Sequence, residues 1–185
     1  MANKVEFGIS QLHVGTYTDA DGTVTLGTPY HQKGAVSFSP EEQSEQNNFY
    51  ADNIIYWSGY SGGSIEGDLE VAMFDDSFKT QFLGYRALTN GGLANVKNAT
   101  KPNVYVAFQV EGDAESRRVI LYNCSLGAIK REYNTIEENK EPATETLGVT
   151  CIGDNTTGVT MAVLKPGDTG YDTLFTAPTA PVIAP

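Results

Sequence analysis

The segment Ile65-Glu66-Gly67-Asp68-Leu69-Glu70-Val71 constrains this chain more than any other. Ile65, Gly67, Leu69 and Val71 alternate with three carboxylates, and a period of two marks a strand that is buried on one face. Glu66, Asp68 and Glu70 then share the opposite face, with same-face neighbours ~7 Å apart. Two carboxylates at that separation repel by only about 0.6 kcal/mol in water. In a dry interior the same row is costly, so this face has to stay wet. The sequence therefore demands a sheet with one dry face and one solvated, acidic face.

The rest of the chain repeats the theme of short alternating segments between turn signals. Val5, Phe7 and Ile9 alternate with Glu6, Gly8 and Ser10 as an opening strand. Asp21-Gly22, between Tyr17-Thr18 and Val24-Thr25-Leu26, reads as a tight hairpin turn. Residues 35–38, 103–110, 117–125, 145–152 and 159–164 read as further strands. Asp75-Asp76-Ser77 supplies a helix start, and Phe78, Phe82 and Leu83 follow at helical spacing. One helix is predicted over about residues 76–88, ended by Asn90-Gly91-Gly92. The fold class is mainly β: an antiparallel β-sandwich or barrel with one flanking helix. Residues 39–53 are polar and read as a long connection, with residues 58–64 as a flexible Gly/Ser hairpin tip. Residues 1–175 are expected to form a single domain. The Ala/Pro-rich stretch 176–185 is expected to be an extended, mobile tail.

Charge and composition exclude several functions. Of 185 residues, 23 are acidic and 12 basic, for a net charge of −11, so binding DNA by neutralising phosphates is not expected. No apolar run approaches the ~18–20 residues of a membrane helix, and residues 1–6 lack a basic region followed by an apolar run. Synthesis and assembly in the cytoplasm, without a membrane partner, are the expectation. Cys124 and Cys151 read as two buried free thiols, since pairing would require their strands to lie side by side.

Candidates for chemistry are weak. Gly59-Tyr60-Ser61-Gly62-Gly63 matches the nucleophile-elbow pattern, but an alternating strand follows where a helix is required. His13 and His31 both precede the serine, whereas a hydrolase of that type carries its histidine later. Asp19-Ala20-Asp21-Gly22 lacks the later ligands of a calcium loop, and neither histidine has a metal-ligand partner at suitable spacing. No catalytic residue, metal site or cofactor is expected, and the chain reads as a protein other than an enzyme.

Four ordered blocks resemble the major tail proteins, or tail-tube proteins, of siphophages that infect Gram-positive bacteria. They are Val5-Glu6-Phe7-Gly8-Ile9-Ser10; Gly34-Ala35-Val36-Ser37-Phe38 running to Phe49-Tyr50-Ala51-Asp52-Asn53; Glu66-Gly67-Asp68-Leu69-Glu70 with Asp76-Ser77-Phe78 and Leu83-Gly84; and Leu121-Tyr122-Asn123-Cys124 with Glu141 to Leu147. The resemblance spans about residues 4–165. It departs at the Gly/Ser stretch and at the Ala/Pro tail.

The resemblance implies a structural virion protein whose subunits close into hexameric rings that stack as a hollow tube for the genome. Its implied partners are copies of itself, the tape-measure, terminator and baseplate proteins, and double-stranded DNA that passes without sequence-specific binding. An inner sheet whose edges pair between subunits would leave no free edge, while a head-to-tail contact between rings would propagate as a filament. Glu66, Asp68 and Glu70 are the candidate lumen lining. The candidate inter-subunit loop carries Pro40, Glu41, Glu42 and Glu45, with Phe49 and Tyr50 as aromatic anchors. Two alternatives stand beside this reading: a terminator or baseplate-hub ring of the same fold, and a carbohydrate-binding β-sandwich using Tyr56, Trp57 and Tyr60.

Overall fold

The computed structural model describes residues 8–133, 135 and 142–183. Apolar–polar alternation becomes β1 (Gly8–Ala20), β2 (Thr23–Leu26), β3 (Tyr30–His31), β4 (Ala35–Ala51) and β5 (Ile54–Val71). The helix α1 (Asp76–Phe82) follows, then β6 (Arg86–Ala87), β7 (Leu93–Ala94), β8 (Val104–Glu111), β9 (Arg118–Arg131), β10 (Glu145–Cys151) and β11 (Met161–Leu164). The main hydrogen-bonded order is β2-β1-β8-β9-β10-β5-β4, with β3 added to β1 and β11 to β9. Neighbours are antiparallel throughout. Ile9 lies in β1, whereas Val5 and Phe7 of the expected opening strand lie outside the described residues.

This long path doubles back on itself as a sandwich, and β9 belongs to both layers. Its first half pairs with β8 and β11, and its second half pairs with β10. The change of layer falls at Asn123, which takes a left-handed φ of 50°. Val104 opposes Cys124 and Val106 opposes Leu121, so β9 carries one extra residue here, a bulge that bends the strand. Asparagine tolerates this conformation because its short side chain can bond locally. The buried Asn123 amide donates to the Gly153 carbonyl at 2.9 Å and accepts from Asn103 Nδ2 at 2.8 Å.

Between the layers, Leu12, Val14, Val104, Val106, Phe108 and Leu121 meet Ile65, Leu69, Val71, Leu147 and Val149. Phe38 of β4 packs edge-on against Phe108 of β8, with ring centres 5.7 Å apart. Helix α1 closes one end of this core with Phe78 and Phe82, and Asp75 caps it by accepting from the Phe78 amide at 2.8 Å. The outer face of the β1–β8–β9 layer bears a second core of Tyr17, Tyr105, Ala107, Ile120 and Tyr122, covered by Leu174 and Phe175.

Several expectations need correction. The helix stops at Phe82, not near residue 88, because Gly84 turns left-handed (φ 71°) and a Cβ there would lie 2.7 Å from Ala99. Residues 39–51 are strand, not a loop, and residues 58–64 lie inside β5, not at a tip. The hairpin turns instead at Asp52-Asn53, both left-handed (φ 51° and 62°). Cys124 and Cys151 are not free thiols: they face each other across β9 and β10 and form a disulfide. After Thr176, the Ala177 amide donates to the Thr173 carbonyl at 2.7 Å and the Tyr122 hydroxyl reaches the Thr179 carbonyl at 3.5 Å.

The Asn123 bulge gives a direct test by urea unfolding. Asn123→Val strains the backbone and strips the buried hydrogen bonds, so it should lower stability by about 2–4 kcal/mol. Asn123→Gly keeps the conformation and loses only the bonds, so its loss should be about half as large.

Candidate functional site

Two surfaces built by the same hairpin stand out. One is a polar wall, the outward face of the four strands β9 (second half), β10, β5 and β4. Register places Ser37 opposite Glu70, Ser39 opposite Asp68, and Glu41 opposite Glu66. On the other side of β5, Thr146, Gly148 and Thr150 oppose Glu70, Asp68 and Glu66. Ser125 and Lys130 of β9 continue the same face. A sheet face made of Ser, Thr, Gly and carboxylates offers nothing for a dry partner to pack against.

Glu66 and Asp68 are exposed, as a wet face requires, while Glu70 is half-buried. The Glu70 carboxylate accepts from Ser37 Oγ at 3.0 Å and from Thr144 Oγ1 at 2.5 Å. Asp68 has Lys130 Nζ 4.0 Å away, a loose pair with both side chains more than half exposed. Glu41 and Glu66 sit directly across from one another, where like charges repel by about 0.8 kcal/mol at ~5 Å in water. With four carboxylates against one ammonium, the wall is acidic.

The wall ends in two strand edges that pair with no other strand among the described residues. One is the outer edge of β4. The other is the second half of β9, because β8 begins only opposite Cys124. Lys101 covers part of that second edge, donating from Nζ to the Leu126 carbonyl at 3.1 Å and to the Gly127 carbonyl at 2.7 Å. Burial lowers the Lys101 pKa from its ordinary value.

The second surface is an arm. Beyond Glu42 and Ile65, β4 and β5 pair only with each other, from Ser44↔Gly62 out to Ala51↔Ile54. Eight cross-strand pairs give an overhang of about 27 Å, with Tyr56 as an extra residue on β5. Phe49, Tyr50, Ile54, Ile55, Tyr56, Trp57 and Tyr60 are all more than half exposed on it. Phe49 opposes Trp57 on one face, while Tyr60 opposes Gln46 on the other. Trp57 lies over Gly59, where an added Cβ would sit 2.4 Å from the indole, so glycine is required beneath the ring.

The sequence candidates therefore divide between these surfaces. Glu66, Asp68 and Glu70 come together with Glu41 on the wall. Pro40 opposes Gly67 on the wall-forming part of β4, and Glu42 lies at its lower margin opposite Ile65. Glu45, Phe49 and Tyr50 belong to the arm. Sequence reasoning missed Ile54 and Ile55 as arm residues, although Asp52-Asn53 beside them was an available turn signal. Tyr56, Trp57 and Tyr60 form no single sugar platform, because Trp57 and Tyr60 point to opposite faces. Gly59 to Gly63 lie inside a strand, and Ser61 Oγ accepts from Asn47 Nδ2 at 2.6 Å, so no nucleophile elbow forms there.

The described residues thus form a sandwich with an acidic wall, two strand edges without a strand partner and an arm of exposed apolar side chains. The family model described as phage tail tube protein matches residues 2–145, and the chain belongs to that family. No curated protein matches the sequence. Among solved structures, the anti-feeding prophage tube-terminating cap is similar at 8% identity, covering 88% of this chain and 95% of that one, with a TM-score of 0.50. A chain of the anti-feeding prophage baseplate is similar at 10% identity, covering 90% and 99%, with a TM-score of 0.49. A chain of the extracellular contractile injection system PVC sheath–tube complex has 8% identity, coverage of 84% and 88%, and a TM-score of 0.47. At such identities the cap structure supports the fold and nothing finer.

Trp57 is the single tryptophan of the chain, so its fluorescence reports the arm alone. In the isolated subunit its emission should resemble that of exposed indole and be readily quenched by acrylamide. Gly59→Val should displace the ring and alter that quenching while leaving the unfolding midpoint of the sandwich within ~0.5 kcal/mol.

Proposed function

We infer that this protein builds the tail tube of a long-tailed phage, closing into rings that stack into a hollow conduit for the genome. The observation that carries this reading is the four-stranded wall with a free edge at each end. Four alternating strands put β4 and the second half of β9 in opposite directions. In a head-to-tail ring, β4 of one subunit would therefore meet β9 of the next as an antiparallel pair. The walls would join as one closed barrel with no exposed edge. The family's hexameric ring is the expected closure, and the Gram-positive siphophages are the expected subset.

In that barrel the acidic wall faces the bore, placing Glu41, Glu66, Asp68 and Glu70 around the passing duplex. DNA carries one charge per ~1.7 Å of axis and would meet a wall whose carboxylates outnumber its one ammonium, Lys130. At ~0.15 M salt the screening length is ~8 Å, so the wall prevents adhesion near contact and does not propel. The arm, with its uncovered aromatics, reaches across to another subunit, and the ring-to-ring contact extends the tube. Tape-measure, terminator and baseplate proteins complete the list of expected partners, and assembly takes place in the host cytoplasm.

Negative-stain electron microscopy of the purified protein over a concentration series, with and without tail-tip complexes as seeds, tests this. Uniform hollow tubes are expected. Single rings that never stack would point to a terminator or hub role, and monomers under every condition would sink the reading. Virions carrying Glu66→Lys, Asp68→Lys and Glu70→Lys together should keep intact tubes but eject DNA poorly. Normal ejection from them would remove the wall from the mechanism.

A further inference from the structure

The sandwich is not sealed along its flank. Between β4 on one layer and β1, β8, β9 and β11 on the other lies a cleft of about 350 Å³, lined by Ile9, Phe38, Phe108, Val119, Met161 and Val163. That is room for about a dozen waters at liquid density, held against mostly apolar walls. Met161 and Val163 are 43% and 42% exposed at its mouth. Its one charged lining residue, Arg117, is engaged by Asp113, with Nε 2.6 Å from Oδ2. Hydrogen bonding from Arg117 holds the Asp113 carboxyl down to about 2, so Asp113 is a carboxylate able to pair with Arg117 at ordinary pH. An occupant of this cleft must be apolar and carry little charge.

The chain itself contains such an occupant. Residues 46–65 include one charged residue, Asp52, and all seven exposed apolar side chains of the arm. The arm cannot fill its own cleft, because Phe49 lies eleven residues beyond Phe38 on the same extended strand, about 35 Å away. A second copy has no such restriction. We propose that the aromatic arm of one subunit seats in the Phe38–Phe108–Met161–Val163 cleft of a neighbouring copy. This rests on the assembly reading above and names the acceptor for its arm. At the cleft, β11 pairs only with β9 among the described residues, so the arriving ribbon also meets backbone it can bond.

The test uses the full chain. Val163→Glu and Met161→Glu, each at a partly exposed site, should leave the monomer's thermal melting unchanged and raise the concentration needed for association at least tenfold by sedimentation. Tyr56→Cys combined with Val163→Cys should give covalent dimers and ladders under mild oxidation, whereas either change alone should not. Wild-type-like association of the Glu variants without the double-cysteine cross-link would overturn the cleft as acceptor and leave the tube reading standing. A wild-type chain that neither associates nor, as the double variant, cross-links would overturn both.

Discussion

The architecture depends on one bent strand. β9 can serve two layers only because Asn123 inserts a left-handed residue where the strand leaves β8 and joins β10. Before the bulge, Ile120 and Tyr122 face the outer core and Val119 and Leu121 the inner one. After it, Cys124 and Leu126 continue toward the inner core, and the strand's other face opens to solvent at Ser125. The disulfide sits beside this bend and ties Cys124 to the end of β10, where the second layer begins. A straight β9 would extend one flat sheet and leave both Leu69 and Phe108 without cover.

From that bend follows the division of labour along the β4–β5 hairpin. Near its base, Phe38 and Leu69 are packed against the opposing layer, while Glu66 and Asp68 face water and Glu70 is half-buried. Past Glu42 and Ile65 the opposing layer ends while the ribbon continues. A two-stranded ribbon alone is marginal in water, and the apolar side chains on this one far exceed what an isolated surface patch requires. Asn47–Ser61 and Gln46–Ser58 side-chain bonds hold the two strands together across the gap. The arm is thus ordered enough to present its aromatics and not buried enough to satisfy them.

How far the sequence could be read follows from the same physics. The strand Ile65–Val71 was legible because one of its faces is dry, which forces a period of two. The arm was not, because neither of its faces is buried by its own chain and alternation has nothing to enforce it. Its glycines at 59, 62 and 63 suggested a tip, yet Gly59 makes room for an indole and Gly62 for the Gln43 carbonyl across the strand pair. The true turn uses Asp52 and Asn53, which reach positive φ without glycine. Gly84 could have marked the helix end, but the approach of Ala99 that demands glycine comes from fifteen residues away. The Cys124–Cys151 pairing depends on register between non-consecutive positions, which local pattern does not encode. The wall was half visible: its carboxylates were in plain sight, while Glu41 joined them only through cross-strand register.

Lys101 gives the wall a property that its strands alone lack. Its ammonium occupies the Leu126 and Gly127 carbonyls on an edge that would otherwise be ready to accept any passing strand. If that edge joins a neighbour's β4, the carbonyls exchange one set of donors for another and the ammonium returns to water. Joining is then a substitution of partners, and its net gain is smaller than the bonds formed suggest.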